Sequence, residues 1–446
     1  MNSTTKLTSC PPQAAAFAPL IQLRQSIYQS FERAADALMN TADALLTENQ
    51  AQSLPELSLS PLFERRWHSL YEAFEDGRIH QEALTHSFAH HAPWPTEGRT
   101  LLAVDACSIA RPKAPTARDR ANVHEANLPL CAPPVVPGWQ FSVLALLPPT
   151  PSSWTYTLDS RRIPTHQSQA QIAAQQLRSL LEKLPQDAGR PLLVADGYYS
   201  CLEFFKLTQD IACDKLMRLK KNRVLYRATP PPSGKRGNPR LHGAPFKCSD
   251  PTTHAEPDES FAAPGITLQR WDNLHFKEAL NLPVSVIRVH RPSAAGTERD
   301  PQVAWLVFEG QQRPPLEQMP QIYAHRYSIE HAFRVDKQDL LWECVRLRTP
   351  EQLERFSQIV ACVRNQLCLA RGLCEMRQPW ESSHRHASPS QVRRGIRAIM
   401  SHLGTPARRC QPRGYSPGRA KGTKVAPAMR YPLVKTAVRR KRQRRF

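Results

Sequence analysis

The sequence predicts an α/β protein with a helical N-terminal domain, a β-rich insertion and a basic, disordered tail, on three observations. Apolar residues recur at helical spacing through the first ~95 residues. Short apolar runs broken by turn residues take over from Thr100, and no Asp or Glu occurs in residues 391–446. The 446 residues suffice for two or three domains with a sizeable core. The 41 prolines are dispersed among apolar segments, which excludes collagen-like and wholly disordered chains. No run approaches the roughly 18 consecutive apolar residues of a membrane span, and MNSTTKLTSCPPQ lacks the layout of a signal peptide. A soluble protein with no membrane partner, remaining in the compartment where it is made, is therefore expected.

Taken in order, residues 1–96 read as the helical domain. Leu20, Leu23, Ile27, Phe31, Ala34, Leu38, Ala42 and Leu45 fall on one helical face, and a second helix is predicted over Pro61 to Glu75 with Gly77 as its C-cap. Residues 97–221 read as the first part of an α/β core. RTLLAVD, WQFSVLALLP and SWTYTLD are strands, SQAQIAAQQLRSLLEKL a helix, RPLLVAD a strand, CLEFFKLTQ a helix and DKLMRLKK a strand. Residues 222–315 form the β-rich insertion, with ITLQRW, LPVSVIRVH and QVAWLVFEG as strands, because a structureless loop of that length is improbable in a compact domain. Helices return over 316–378, and order is expected to fade in the tail, 379–446.

Charge is unevenly placed. The net charge is +21, yet residues 1–100 hold 7 Lys/Arg against 11 Asp/Glu, while residues 391–446 hold 17 Lys/Arg. A tail ending in RRKRQRRF repels itself and calls for a polyanion, of which nucleic acid is the obvious one. The eleven cysteines are scattered without a CxxC pair, so reduced thiols are expected and none is nominated as a ligand.

Two carboxylates share a setting. Asp105 closes LLAVD and Asp196 closes LLVAD, each an apolar strand followed by a small residue. A buried ionised carboxylate is costly without a partner, and ligands of open α/β sheets bind beyond strand ends, so the pair suits a hard divalent cation such as Mg²⁺ or Mn²⁺. Each taken singly is also compatible with a turn-initiating Asp. A third element is YAHRYSIEHAFRVDKQ. On one helix Tyr323, Arg326, Glu330, Arg334 and Lys337 stand at offsets 0, 3, 7, 11 and 14, a stripe of one aromatic hydroxyl, two guanidiniums, one carboxylate and one ammonium.

The spacing Y-(2)-R-(3)-E-(6)-K over Tyr323, Arg326, Glu330 and Lys337 resembles the signature of bacterial insertion-sequence transposases of the DDE class. The resemblance covers roughly Thr100 to Gln378. It implies a ribonuclease-H-like mixed sheet with flanking helices, interrupted by an insertion before the last catalytic helix. By that resemblance Asp105, Asp196 and Glu330 are the catalytic residues and hold two Mg²⁺ ions about 3.5–4 Å apart, with Mn²⁺ as a substitute, for in-line displacement at a DNA phosphate. It further implies double-stranded DNA partners (element ends, or terminal inverted repeats, and target DNA), a homodimer on DNA, and a bacterial, cytoplasmic, nucleoid-associated setting.

The DNA-contacting set implied is Tyr323, Arg326, Arg334 and Lys337 from the stripe, Lys220, Lys221 and Arg223 from the basic loop KKNRVLYR, and an insertion aromatic. GKRGNPRLHG resembles a second groove-lining segment. Of the insertion aromatics, Trp305 sits in an apolar strand and reads as core, which leaves Trp271 to hold a flipped base. Asp119, Asp159, Asp336 and Glu343 compete as carboxylate ligands, and ACSIARP departs from the Thr- or Ser-rich run that follows the first Asp in better-known members. Three readings compete with a transposase: a nuclease of the same fold without strand transfer, an inactive or domesticated DNA-binding protein, and a basic RNA-binding protein.

Overall fold

The computed structural model describes residues 14–124, 135–185, 188–229, 240–297, 301–381, 386–411, 420–424 and 426–435. Along the chain, α1 (Ala14–Gln29), β1 (Phe31–Arg33), α2 (Ala35–Thr47), α3 (Leu54–Leu57), α4 (Trp67–Asp76), β2 (Arg78–Ile79) and α5 (Gln81–His91) come first. The apolar stripe expected to make one helix is divided between α1 and α2. Ala34 takes a left-handed φ of 57°, and Phe31 and Arg33 of β1 pair with Ile79 and Arg78 of β2. Gly77 does follow α4, but in an extended conformation rather than a left-handed one; what requires glycine is the carbonyl of Ala73, 2.1 Å from where a Cβ would stand.

The α/β portion follows: β3 (Leu101–Ala110), β4 (Ala121–His124), β5 (Val135–Leu146), β6 (Tyr156–Ile163), α6 (Gln169–Leu181), β7 (Leu192–Ala195), α7 (Leu202–Thr208) and β8 (Asp214–Leu219). A capping box closes α6, with the Ser168 side chain on the Gln171 amide and the Gln171 side chain on the Ser168 amide. Next come β9 (Val224–Tyr226), β10 (Pro245–Lys247), β11 (Glu259–Ala263), β12 (Ile266–Phe276), β13 (Ala279–His290) and β14 (Val303–Glu309). Among the described residues five helices follow: α8 (Met319–Ala324), α9 (Tyr327–Gln338), α10 (Pro350–Leu369), α11 (Pro389–Ile396) and α12 (Met400–Leu403). Among the described residues no helix is long and apolar enough to cross a membrane.

These elements form two compact units. One comprises Met1–Pro93, Ser108–Gln140 and Ala332–Phe446. Its centre is α10, whose Phe356 meets Phe74 edge-on at 5.5 Å and whose Arg355 donates to the Phe74 and Glu75 carbonyls at the end of α4. Arg24 of α1 pairs with Asp43 of α2 at 2.8 Å and donates to Gln366 of α10, so buried charge is matched where three helices meet. The expectation that order fades after Gln378 is corrected here. A capping box at Ser388 and Gln391 starts α11, Val392 and Ile396 are buried, and Arg393 donates to the Leu45 and Glu48 carbonyls. Further on, the amides of Tyr431 and Val434 donate to the carbonyls of Pro115 and Arg120. The terminal run from residue 436 lies outside the described residues.

The other unit comprises Trp94–Cys107 and Phe141–His331. Its sheet runs β10-β9-β12-β13-β14-β8-β7-β3-β5, with β6 beside β5 and β11 beside β12. β3, β7 and β8 are parallel neighbours, while β8, β14, β13 and β12 alternate antiparallel. The strands between residues 222 and 315 therefore extend the same mixed sheet, because β14 pairs with β8 from Trp305 against Leu219 to Glu309 against Lys215. This mixed sheet, flanked by helices, is consistent with a ribonuclease-H-like fold.

Candidate active site

β3 and β7 pair in parallel from Leu101 against Leu192 to Val104 against Ala195. The next residue on each chain segment is a carboxylate, so Asp105 and Asp196 stand side by side where β7 ends; the expectation that Asp105 closes its strand is corrected, since β3 runs on to Ala110. Asp196 turns the chain: its Oδ1 accepts the Tyr198 amide at 2.9 Å and its carbonyl accepts the Tyr199 amide at 3.2 Å. Among the described residues Asp105 receives the Ala106 amide at 2.8 Å and one weak cationic contact. Burial, reinforced by the Asp196 charge and only partly offset by Arg326, pushes the Asp105 carboxyl up to about 7. The same pair of carboxylates, after burial, drives the Tyr199 hydroxyl well above its ordinary range.

The stripe is not a single helix. α8 ends at Ala324 and α9 begins at Tyr327, with a tight turn between them in which the Arg326 amide donates to Tyr323 and the Ser328 amide to His325. Two side chains tie this junction to the loop after β5: Ser328 Oγ accepts the Ser152 amide at 3.1 Å, and His325 Nδ1 lies 3.2 Å from the Pro148 carbonyl. The turn aims Arg326 inward. Its Nη1 lies 3.5 Å from Asp105 Oδ2 and its Nη2 lies 2.6 Å from Glu330 Oε1, so one guanidinium bridges the first and third carboxylates. The bridge is 5.8 Å from the Tyr323 ring centroid and 5.0 Å from that of Tyr327. Burial opposes the charge on Arg326, but Tyr323, Asp105 and Glu330 outweigh it and hold the guanidinium protonated.

Asp105, Asp196, Glu330, Arg326 and Tyr323 thus belong to one unit and one site. Two hard oxygen donors side by side, one of them under-compensated by the groups around it, form a set that fits a hard divalent cation such as Mg²⁺ or Mn²⁺. Among the described residues no three His, Cys, Asp or Glu side chains stand close enough to hold one ion, and the near oxygen of Glu330 is engaged by Arg326.

The family described as DDE superfamily endonuclease matches residues 26–277, more than half of the chain. The chain belongs to this family. DDE superfamily enzymes cleave DNA and depend on divalent metal, and Asp105 and Asp196 both lie inside the match. The match ends before Tyr323 to Lys337. No curated protein matches the chain.

The remaining residues of this DDE endonuclease sort by their partners. Lys220 and Lys221 are exposed in the turn from β8 to β9, and the Lys220 ammonium lies 5.8 Å from the ring centroid of Tyr198, two residues past Asp196. Arg223 is half-buried in that turn, while residues 230–239, including most of GKRGNPRLHG, lie outside the described residues. Arg334 is exposed, and Lys337 pairs with Glu343 at 3.6 Å. Trp271 is a correction. It is 2% exposed, donates from its indole to the Ala255 carbonyl, and packs among Phe246, His254 and Trp305, so it fills the core of the β-rich segment and offers no face to a base. Trp305, also buried, is core as read from its apolar strand. Three competing carboxylates are committed elsewhere: Asp159 to Arg161, Asp336 to Arg364 and Glu343 to Lys337. Asp119 sits at a left-handed turn, φ 54°.

Sequence reasoning missed Tyr198, 54% exposed beside Lys220, although ADGYYS displays it directly after the second carboxylate. It also missed Arg218, Arg291 and Tyr327, which with Tyr323 line a cavity of about 160 Å³. Nothing in their sequence spacing brings β8, the end of β13 and two helices to one cavity.

Proposed function

We propose that this DDE endonuclease is a transposase that cuts DNA at the ends of its own insertion element and joins those ends to target DNA. What carries the proposal is the convergence of Asp105 and Asp196 from paired parallel strands with Glu330, joined to Asp105 through Arg326. The YREK spacing supports transposition over plain cleavage, since it belongs to a class that does both.

Asp105, Asp196 and Glu330 would hold two divalent ions, Mg²⁺ with Mn²⁺ able to substitute. When bound, such ions sharpen the nucleophile and stabilise the departing oxygen at the scissile phosphate. The chain's own groups do the rest. Tyr323 and Arg326 orient the phosphate beside the carboxylates. Tyr198 offers an exposed ring on which an unpaired base stacks, and Lys220, Lys221, Arg223, Arg334 and Lys337 neutralise backbone phosphates. Two ends must be held together for joining, so the working form is a homodimer on DNA.

A labelled duplex carrying the terminal inverted repeats that flank the gene tests this, incubated with Mg²⁺, Mn²⁺ or EDTA and compared between wild type and Glu330→Gln. Metal-dependent cut and joined products that vanish in the variant are expected. Cutting without joining of pre-cleaved ends leaves a nuclease, and salt-sensitive binding without cutting under any metal leaves a DNA-binding protein.

A further inference from the structure

We propose that the Arg326 guanidinium is the resident cation of the carboxylate site, and that it yields to a divalent ion when a DNA phosphate draws it toward the cavity shared by Tyr323 and Tyr327. This rests on the reading above that Asp105, Asp196 and Glu330 hold the ion, and it assigns Arg326 a positioning role that couples metal loading to DNA.

Four observations support the exchange. Arg326 already bridges two of the three carboxylates, and the oxygen of Glu330 that it binds is an oxygen a metal would need. Its contact with Asp105 is long, 3.5 Å against about 2.7–2.9 Å for a charge-assisted hydrogen bond, so that arm is weakly held. Its side chain is 8% exposed, yet its Nε–H has no partner, which leaves a buried cation with an uncommitted donor. Finally, the tyrosines on either side of it line the 160 Å³ cavity together with Arg218 and Arg291 above an apolar floor of Val289 and Leu306.

Two arginines lining that cavity make it a place for an anion, and a phosphate there gives Arg326 a new partner next to its present position. A guanidinium and a divalent ion cannot both sit within bonding distance of the same carboxylates without strong repulsion. Whatever relocates Arg326 therefore raises metal affinity, and by reciprocity bound metal raises DNA affinity by the same factor.

Mn²⁺ binding to the full-length protein, followed by calorimetry and by the paramagnetic signal of free Mn²⁺, tests the exchange with and without a short duplex lacking the element's ends. Arg326→Gln is expected to bind Mn²⁺ roughly tenfold more tightly than wild type without DNA. The duplex is expected to tighten Mn²⁺ binding to wild type about tenfold and leave the variant unchanged. Lys206→Gln removes an exposed positive charge from α7 of the same unit and should bind Mn²⁺ as wild type does, which separates bridging from net charge. Should Arg326→Gln not fold, Arg326→Lys must still bind Mn²⁺ more tightly than wild type, because one ammonium cannot span both carboxylates. Unchanged or weaker Mn²⁺ binding by the Arg326 variants, with Asp105→Asn abolishing it, overturns the exchange and leaves the carboxylate reading intact. Unchanged binding in Asp105→Asn overturns the carboxylate reading itself.

Discussion

Asp105 and Asp214 are both carboxylates on strands of the same sheet, and they are treated in opposite ways. Asp214, at the start of β8, is fully buried and receives the Arg99 and Arg190 guanidiniums and the amides of Gln311 and Gln312, the latter two at 2.9 Å. Gly310 allows this crowding, since a Cβ there would stand 2.2 Å from Asp214 Oδ1. Burial pushes the Asp214 carboxyl up, but these four donors together bring it below its usual range. Asp105 is less buried, yet it has one amide, one distant guanidinium and a second carboxylate beside it, and its carboxyl rises to about 7. A satisfied buried charge holds the fold, whereas an under-satisfied one costs stability and is retained for chemistry.

The largest test of that contrast is catalytic. Asp105→Asn and Asp196→Asn should each lower metal-dependent DNA cleavage by at least about 10³-fold, given how much of such catalysis the metal supplies, while DNA affinity by fluorescence anisotropy changes little. Cleavage retained in either variant removes that residue from the site. Asp214→Asn should do the reverse, leaving two guanidiniums short of their anion and costing about 3 kcal/mol in urea unfolding, with the residual folded fraction still cutting.

Next comes the pH dependence. A carboxyl raised from 3.8 to about 7 in the folded state favours folding at low pH and loses that contribution as pH rises from about 4 through 7. Asp105→Asn should therefore be more stable than wild type at pH 8, on the order of 2 kcal/mol, and the advantage should disappear near pH 4. An equal advantage at both ends of the range would show that Asp105 is not destabilised by its charge.

Smaller effects separate the aromatic residues and the lysines. Trp271→Ala should cost about 3 kcal/mol of stability by emptying a core position, whereas Tyr198→Ala should leave stability alone and weaken binding of single-stranded ends by about 1 kcal/mol. Lys220→Ala should reduce the slope of log affinity against log salt by about one, measured by titration between roughly 50 and 200 mM salt.

The two candidate aspartates are legible in the sequence, the contrast with Asp214 is not, and the failures have specific causes. LLVAD does mark a strand end, whereas LLAVD does not: β3 continues through Asp105 to Ala110, because a strand can run on past an apolar run wherever it still has a neighbour to pair with. Trp271 was misread because an indole in an alternating strand faces either core or solvent, and its neighbours Phe246 and His254 lie well away in the sequence. The YREK stripe was read as one helix because its spacing permits it; the break at His325 and Arg326 depends on contacts to Ser152 and Pro148, which no local pattern encodes. Likewise α11 lies in a basic segment whose net charge predicts no order, and is held by Arg393 against carbonyls of α2 and the residue after it.

By itself the sequence determined most of the core strands and helices, the matched apolar runs that lead into the two aspartates, and the chain's large positive charge, because periodicity and net charge are local or summed quantities. Only the tertiary structure decided that β14 joins the later strands to the core sheet, that Asp105 goes under-compensated while Asp214 is saturated, and that Arg326 occupies the space between the carboxylates. Those outcomes depend on through-space distances between residues up to 221 positions apart, and such distances exist only once the chain has closed on itself.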